Sequence, residues 1–149
     1  MPEIELLTVA NHAEAINGLL YLSGAGWTDL RRPMPPEGPP PVTHFGIAIA
    51  VLVGWNETNQ RHRINVRLEN ADGREFLNMQ ADLEMGRPPG LPQGSDLRGV
   101  IAINAELQFP AAGIYRVLAA VAGHQRSVTF RVHDLPAASI PATPPPPQR

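Results

Sequence analysis

Residues 42–55 read VTHFGIAIAVLVGW, and this stretch restricts the fold more than any other. From Phe45 to Val53 every residue is apolar or glycine. A membrane-spanning helix needs about 20 such residues. Asn56, Glu57, Asn59, Gln60, Arg61 and His62 follow at once, so the stretch does not span a bilayer. As a helix it would hold Gly46 and Gly54 and a run of β-branched residues, all poor helix formers. As a strand it sorts cleanly by alternation. Phe45, Ile47, Ile49, Val51 and Val53 fall on one face; Gly46, Ala48, Ala50 and Leu52 fall on the other. The bulky face fills a core. The small face is also apolar and must meet something other than water.

The neighbouring segments alternate as half-buried strands do. In RINVRLENADGREF, Ile64, Val66 and Leu68 alternate with Asn65, Arg67 and Glu69 before an Asn70–Gly73 turn. Arg74 to Leu83 resumes as a strand. Ile101, Ile103, Ala105, Leu107 and Phe109 alternate against Ala102, Asn104, Glu106 and Gln108. Ile114 to Val121 and Ser127 to Val132 read as a hairpin joined by Gly123-His124-Gln125. Upstream, Glu3 to Val9 and Ile16 to Leu22 read as strands, with HAEA (12–15) a helical turn or loop between them. Residues 31–41 hold six prolines, and residues 86–99 hold three prolines and four glycines. Both read as surface connections. About eight short strands separated by turn residues predict an all-β, antiparallel β-sandwich or barrel. The expected layout is one domain over residues 1–135, followed by a proline-rich, disordered tail over 136–149.

Composition narrows the function. The net charge is −2 and all twelve basic residues are arginine, so no basic field exists to attract nucleic acid. There is no cysteine, which excludes disulfides, thiolate catalysis and Cys-type zinc sites. MPEIELLTV carries acids rather than the cationic start and apolar run of a secretory signal, giving a cytoplasmic expectation.

The segment FPAAGIYRVLAAVAGHQRSVTFRV (109–132) resembles the last hairpin of many immunoglobulin-like sandwiches, through Phe109, Pro110, Gly113, Tyr115, Gly123 and Phe130. The resemblance implies a tyrosine corner at Tyr115, its ring in the core and its hydroxyl on nearby backbone. The immunoglobulin cysteine pair is absent. From Glu3 to Val132 the chain also resembles a family of small bacterial proteins known only as a domain of unknown function. ELLTVA, GLLYLSGAGW, the NADGRE turn and FPAAGIYR carry that resemblance. It implies no catalytic residues.

No pattern of chemistry-bearing residues stands out. His12, His44, His62, His124 and His133 form neither HxH nor HExxH. His62 and His124 both flank turns and are candidates to meet in space. Asn70, Asp72 and Glu75 suit a hairpin turn better than a calcium site, which needs about 6–8 oxygen ligands. No serine lies in GxSxG, and Ser23-Gly24-Ala25-Gly26 reads as a bulge or tight turn rather than a phosphate loop. Trp27 and Trp55 are the candidate ligand-binding residues. Each ends a strand-like run, and together they would cap the sandwich. Packing is the plainer role for both.

The expectation is therefore a non-catalytic module for protein–protein association, as a homo-oligomer or as an accessory subunit of a larger bacterial assembly. Gly46, Ala48, Ala50 and Leu52 are its candidate interface, unless the proline loop covers them. A β-sandwich that binds a small molecule or carbohydrate through Trp27 and Trp55 is the alternative. No catalytic residue, metal site or cofactor is expected. The partner is protein or a second copy, not nucleic acid, and no membrane span is expected. The proline tail either links passively or docks in an aromatic groove.

Overall fold

A computed structural model describes residues 1–136. The expected tail, except for Pro136, lies outside the described residues. Nine strands form in chain order: β1 (Glu3–Ile16), β2 (Leu19–Ala25), β3 (Asp29–Pro33), β4 (Thr43–Val53), β5 (Arg61–Asn70), β6 (Glu75–Glu84), β7 (Leu97–Leu107), β8 (Gly113–Val121) and β9 (His124–Leu135). A single 3-10 turn, Trp55–Glu57, follows β4. The strands make two sheets, ordered β2-β1-β4-β7 and β3-β9-β8-β5-β6. The chain is an all-β sandwich.

Alternation decides what lies between the sheets. Phe45, Ile47, Ile49, Val51 and Val53 of β4 are buried against Ile64, Val66 and Leu68 of β5 and Val117, Ala119 and Val121 of β8. Phe45, Phe109, Tyr115 and Phe130 form an aromatic cluster at one end of this core, with ring centroids 4.7–6.3 Å apart. Each buried aromatic stabilises by about 1.5–3 kcal/mol through area alone. The Tyr115 hydroxyl donates to the Ala111 carbonyl oxygen at 2.7 Å, so the tyrosine corner is formed.

Three expectations about elements are corrected. HAEA is neither helix nor loop; it continues β1 to Ile16. The break falls instead at Asn17-Gly18, whose φ angles of 50° and 75° make a tight two-residue hairpin turn. The proline stretch also hides a short strand. Asp29–Pro33 pairs with β9, and it pairs in parallel, so one edge departs from the antiparallel rule.

Arg32 explains why this parallel edge is held. The residue is buried at 3% exposure. Nε donates to Asp134 of β9 at 2.7 Å, and Nη1 donates to the Phe109 carbonyl oxygen. At the same edge His133 bonds Asp29 at 2.6 Å. That bond, with a second from the Thr28 hydroxyl, holds the Asp29 carboxyl below the ordinary aspartate range.

Candidate interaction surface

The small face of β4 lies on the outer side of the four-stranded sheet. Its rungs follow from the register with β1 and β7. They read Leu6–Ala50–Val100, Thr8–Ala48–Ala102 and Ala10–Gly46–Asn104. None of these nine residues is charged. Ala48 is fully buried, Leu52, Thr8, Val100 and Ala102 are half-buried, and Leu6 is 38% exposed. The result is a shallow apolar strip in which alanines lie below their longer neighbours.

A bulge in β1 makes the strip possible. Ile4 pairs with Val51 and Leu6 with Ala50, so Glu5 is the extra residue. The bulge lets Ile4 point inward like Leu7 and Val9 although its parity differs from theirs. Glu5 then closes one end of the strip through Arg98, which donates Nη2 to Oε1 at 2.6 Å and Nε to Oε2. Hydrogen bonding from Arg98, reinforced by its charge, holds the Glu5 carboxyl below the ordinary glutamate range. The same bonds raise Arg98.

The other end is covered by the chain itself. Past Ala10, β1 turns across β4, and Ala13 settles over Gly46. A Cβ on Gly46 would stand 2.8 Å from the Ala13 nitrogen and 3.0 Å from Asn104 Oδ1. Asn104 reaches over that gap from β7. Its Oδ1 accepts from the Ala13 N–H at 3.1 Å, and its Nδ2 donates to the Ala13 carbonyl oxygen at 2.7 Å. One carboxamide therefore satisfies both backbone groups of Ala13. The cover over Gly46 is thus strand β1, where the sequence suggested the proline loop.

Beyond Asn104, His12 and His44 meet although 32 residues separate them. His12 Nδ1 lies 3.1 Å from His44 Nε2, with one ring donating and the other accepting. The outer ring nitrogens face Glu14 Oε1 at 3.3 Å and Glu106 Oε1 at 3.7 Å. The rings are nearly parallel and exposed. Among the described residues, no group of three or more His, Asp or Glu converges as a metal site would require.

The other candidates are dispersed. Trp27 meets Phe130 edge-on, with centroids 5.2 Å apart, at the aromatic end of the core. Trp55 follows β4 at the opposite end, roughly 30 Å away at the usual rise of a strand. The two tryptophans therefore do not cap the sandwich together. The Arg87 guanidinium lies 4.2 Å over the Trp55 ring and donates to the Trp55 carbonyl oxygen and the Thr58 hydroxyl. One face of that indole is filled from within. Trp55 also lines an open cleft of about 580 Å³ with Asn56, Glu57, Gln93, Gly94 and Asp96.

His62 bonds the Glu57 carbonyl oxygen at 2.7 Å, and His124 Nδ1 accepts from the Ile4 N–H at 3.1 Å. Each histidine is thus engaged by backbone rather than by the other. Asp72 and Glu75 lie at the far end of β5, where Asn70 Oδ1 accepts from the Asp72 and Arg74 backbone N–H groups. These residues form a turn and do not converge with the histidines. Asp96 is at the Trp55 end, away from Asp72.

A family model described as a family of unknown function, DUF6941, matches residues 5–133. The chain belongs to that family. The DUF6941 match starts at the bulged Glu5 and ends inside β9, so it takes in both sheets and the whole outer strip. No curated protein matches the chain. Among solved structures it is similar to the CARDB domain of the PF1109 protein from Pyrococcus furiosus, which was determined in complex with di-metal ions. That structure is 12% identical, covers 89% of this chain and 96% of its own, and superposes with a TM-score of 0.42. Within the described residues of the DUF6941 chain, no helix is long and apolar enough to cross a membrane.

Sequence reasoning missed two features of this DUF6941 surface. Asn104 reads as an ordinary outward residue of an alternating strand. Its role depends on the chain crossing above Gly46, which local pattern does not encode. The His12–His44 contact depends on the same crossing. The one available signal is Asn17-Gly18, a strong hairpin dipeptide that fixes where β1 must turn back.

Proposed function

We propose that this chain is a non-catalytic β-sandwich module for protein–protein association, acting as a homo-oligomer or as an accessory subunit. The observation that carries the reading is the uncharged strip of Leu6, Thr8, Ala48, Ala50, Leu52, Val100 and Ala102 on the outer side of a sheet. The outer side of the other sheet is different in kind, with Arg63–Asp82, Arg67–Glu75 and Arg116–Glu69 ion pairs across its strands. A solvated face bears such pairs; an interface core is depleted of charge. The separation of His62 and His124 from Asp72 and Glu75 supports the non-catalytic part, because acid–base chemistry needs groups within hydrogen-bond reach.

Gly46 serves the monomer's own fold, so the interface is Leu6, Leu52, Val100 and Ala102 around the two alanines. The test is Leu6→Glu, a charge placed where side chains are already partly exposed. The wild-type chain is expected to sediment above its 16.1 kDa monomer mass, or to hold a stoichiometric partner from its native lysate. Leu6→Glu is expected to keep the circular-dichroism spectrum and lose that association. A wild-type chain that is monomeric and partner-free overturns the reading.

A further inference from the structure

We propose that the association surface includes the free edge of β7, and that its occupant is the β7 strand of a second copy of this chain, paired antiparallel about a two-fold axis at Ala102. This rests on the association reading and names its partner.

A sheet edge presents a row of unpaired N–H and C=O groups, and stable proteins blunt such edges. Three of the four edges here are blunted. β2 is short, with Gly24 and Gly26 at its end in the left-handed region. β3 has five residues and closes on Pro33. β6 carries Glu75, Asp82 and Glu84, and its ladder with β5 is interrupted at Leu68/Glu69. β7 has no bulge and no proline, and its two charges, Arg98 and Glu106, lie outside its central run. It runs eleven residues against β4 without a register shift, and Gly99 to Ala105 holds no charge and no proline. Among the described residues its backbone bonds no strand but β4.

The sequence of β7 is complementary to itself. Antiparallel pairing about Ala102 places each residue opposite the one equally far on the other side of that centre. Arg98 then faces the partner's Glu106, and Glu106 faces the partner's Arg98. Leu97 faces the partner's Leu107, and Ile101 faces the partner's Ile103. Opposite charges and β-branched pairs directly across a ladder are the favourable combinations. An isologous two-fold contact uses each twice. Arg98 and Glu106 are both largely exposed, so each has donors or acceptors free for a second partner. The resulting sheet would run β2-β1-β4-β7 and back through the second copy. It would make one continuous strip of the two apolar outer faces. The β1–β2 hairpin, which crosses β4 toward β7, carries Ile16 and Leu19 at its turn, and Leu19 is 59% exposed. A neighbouring copy would cover them.

The test is a charge swap on the full chain, read by sedimentation equilibrium, with circular dichroism to check that each variant folds. Arg98→Glu and Glu106→Arg are each expected to weaken self-association about tenfold or more, because each sets like charges across the two-fold. An equimolar mixture of the two variants is expected to recover the wild-type association. In the mixed pair, both acidic positions of one chain face arginines of the other. As a second readout, Ala102→Cys in this cysteine-free chain is expected to form a disulfide dimer under mild oxidation, since a residue on the two-fold faces itself. A wild-type dimer whose association ignores the swap, and whose introduced thiol stays reduced, overturns the edge pairing and leaves the association reading intact. A monomer at every concentration that holds a stoichiometric foreign partner does the same. A monomer with neither partner nor cross-link overturns both.

Discussion

Asn104 shows how one side chain can stand in for a neighbouring strand. Ala13 has Leu22 of β2 beside it on one side and no strand on the other, and a buried, unpaired backbone group costs about 1–3 kcal/mol. The carboxamide has one acceptor and one donor end, and both are used on the same residue. Asn104→Ala is therefore expected to destabilise the fold by about 2 kcal/mol in chemical denaturation. Asn104→Asp should recover only the bond from the Ala13 N–H, since a carboxylate cannot donate. The Glu5–Arg98 pair gives a residue-scale pH dependence. A carboxyl held below its unfolded value stabilises the fold fully above the ordinary glutamate range. The contribution fades as pH falls through the lowered, folded value. The melting-temperature difference between wild type and Glu5→Gln should accordingly be constant near neutrality and shrink below the ordinary glutamate range.

At the scale of elements, legibility follows the alternation. β4, β5, β7 and β8 are readable because bulky and polar or small residues alternate along them without interruption. β1 is only half readable. Its Glu5 bulge breaks parity, and Ala13, Glu14 and Ala15 have low strand propensity, so His12–Ala15 reads as a helical turn or loop although tertiary pairing with β2 makes it strand. β3 is hidden by Pro33 and the prolines after it, because a buried arginine and a parallel neighbour far along the chain leave no local mark. Of the candidate site, the strip's β4 residues are legible from their size and spacing. The Asn104 clamp and the histidine contact are not, because both depend on one strand passing over another. The β8–β9 hairpin turn falls on Ala122-Gly123, with Ala122 in the left-handed region at φ 48°. That conformation costs an ordinary L-residue about 1–2 kcal/mol, and Asn less. Ala122→Asn is expected to raise stability by about 0.5–1 kcal/mol, measured by thermal unfolding, with no change in association.

For the whole molecule, the two outer faces divide the labour. The five-stranded sheet turns ion pairs to solvent, and the four-stranded sheet turns an uncharged strip outward. The parallel strand has a further consequence, one of timing. β3 is made early, but it is held by Arg131, Val132, His133 and Asp134 of β9, which is synthesised after every other strand described. Until residue 135 leaves the ribosome, Arg32 has no carboxylate and the aromatic cluster lacks Phe130. β3 therefore gains its ladder, and the aromatic cluster its fourth ring, only once β9 has emerged, long after the most apolar stretch has been made.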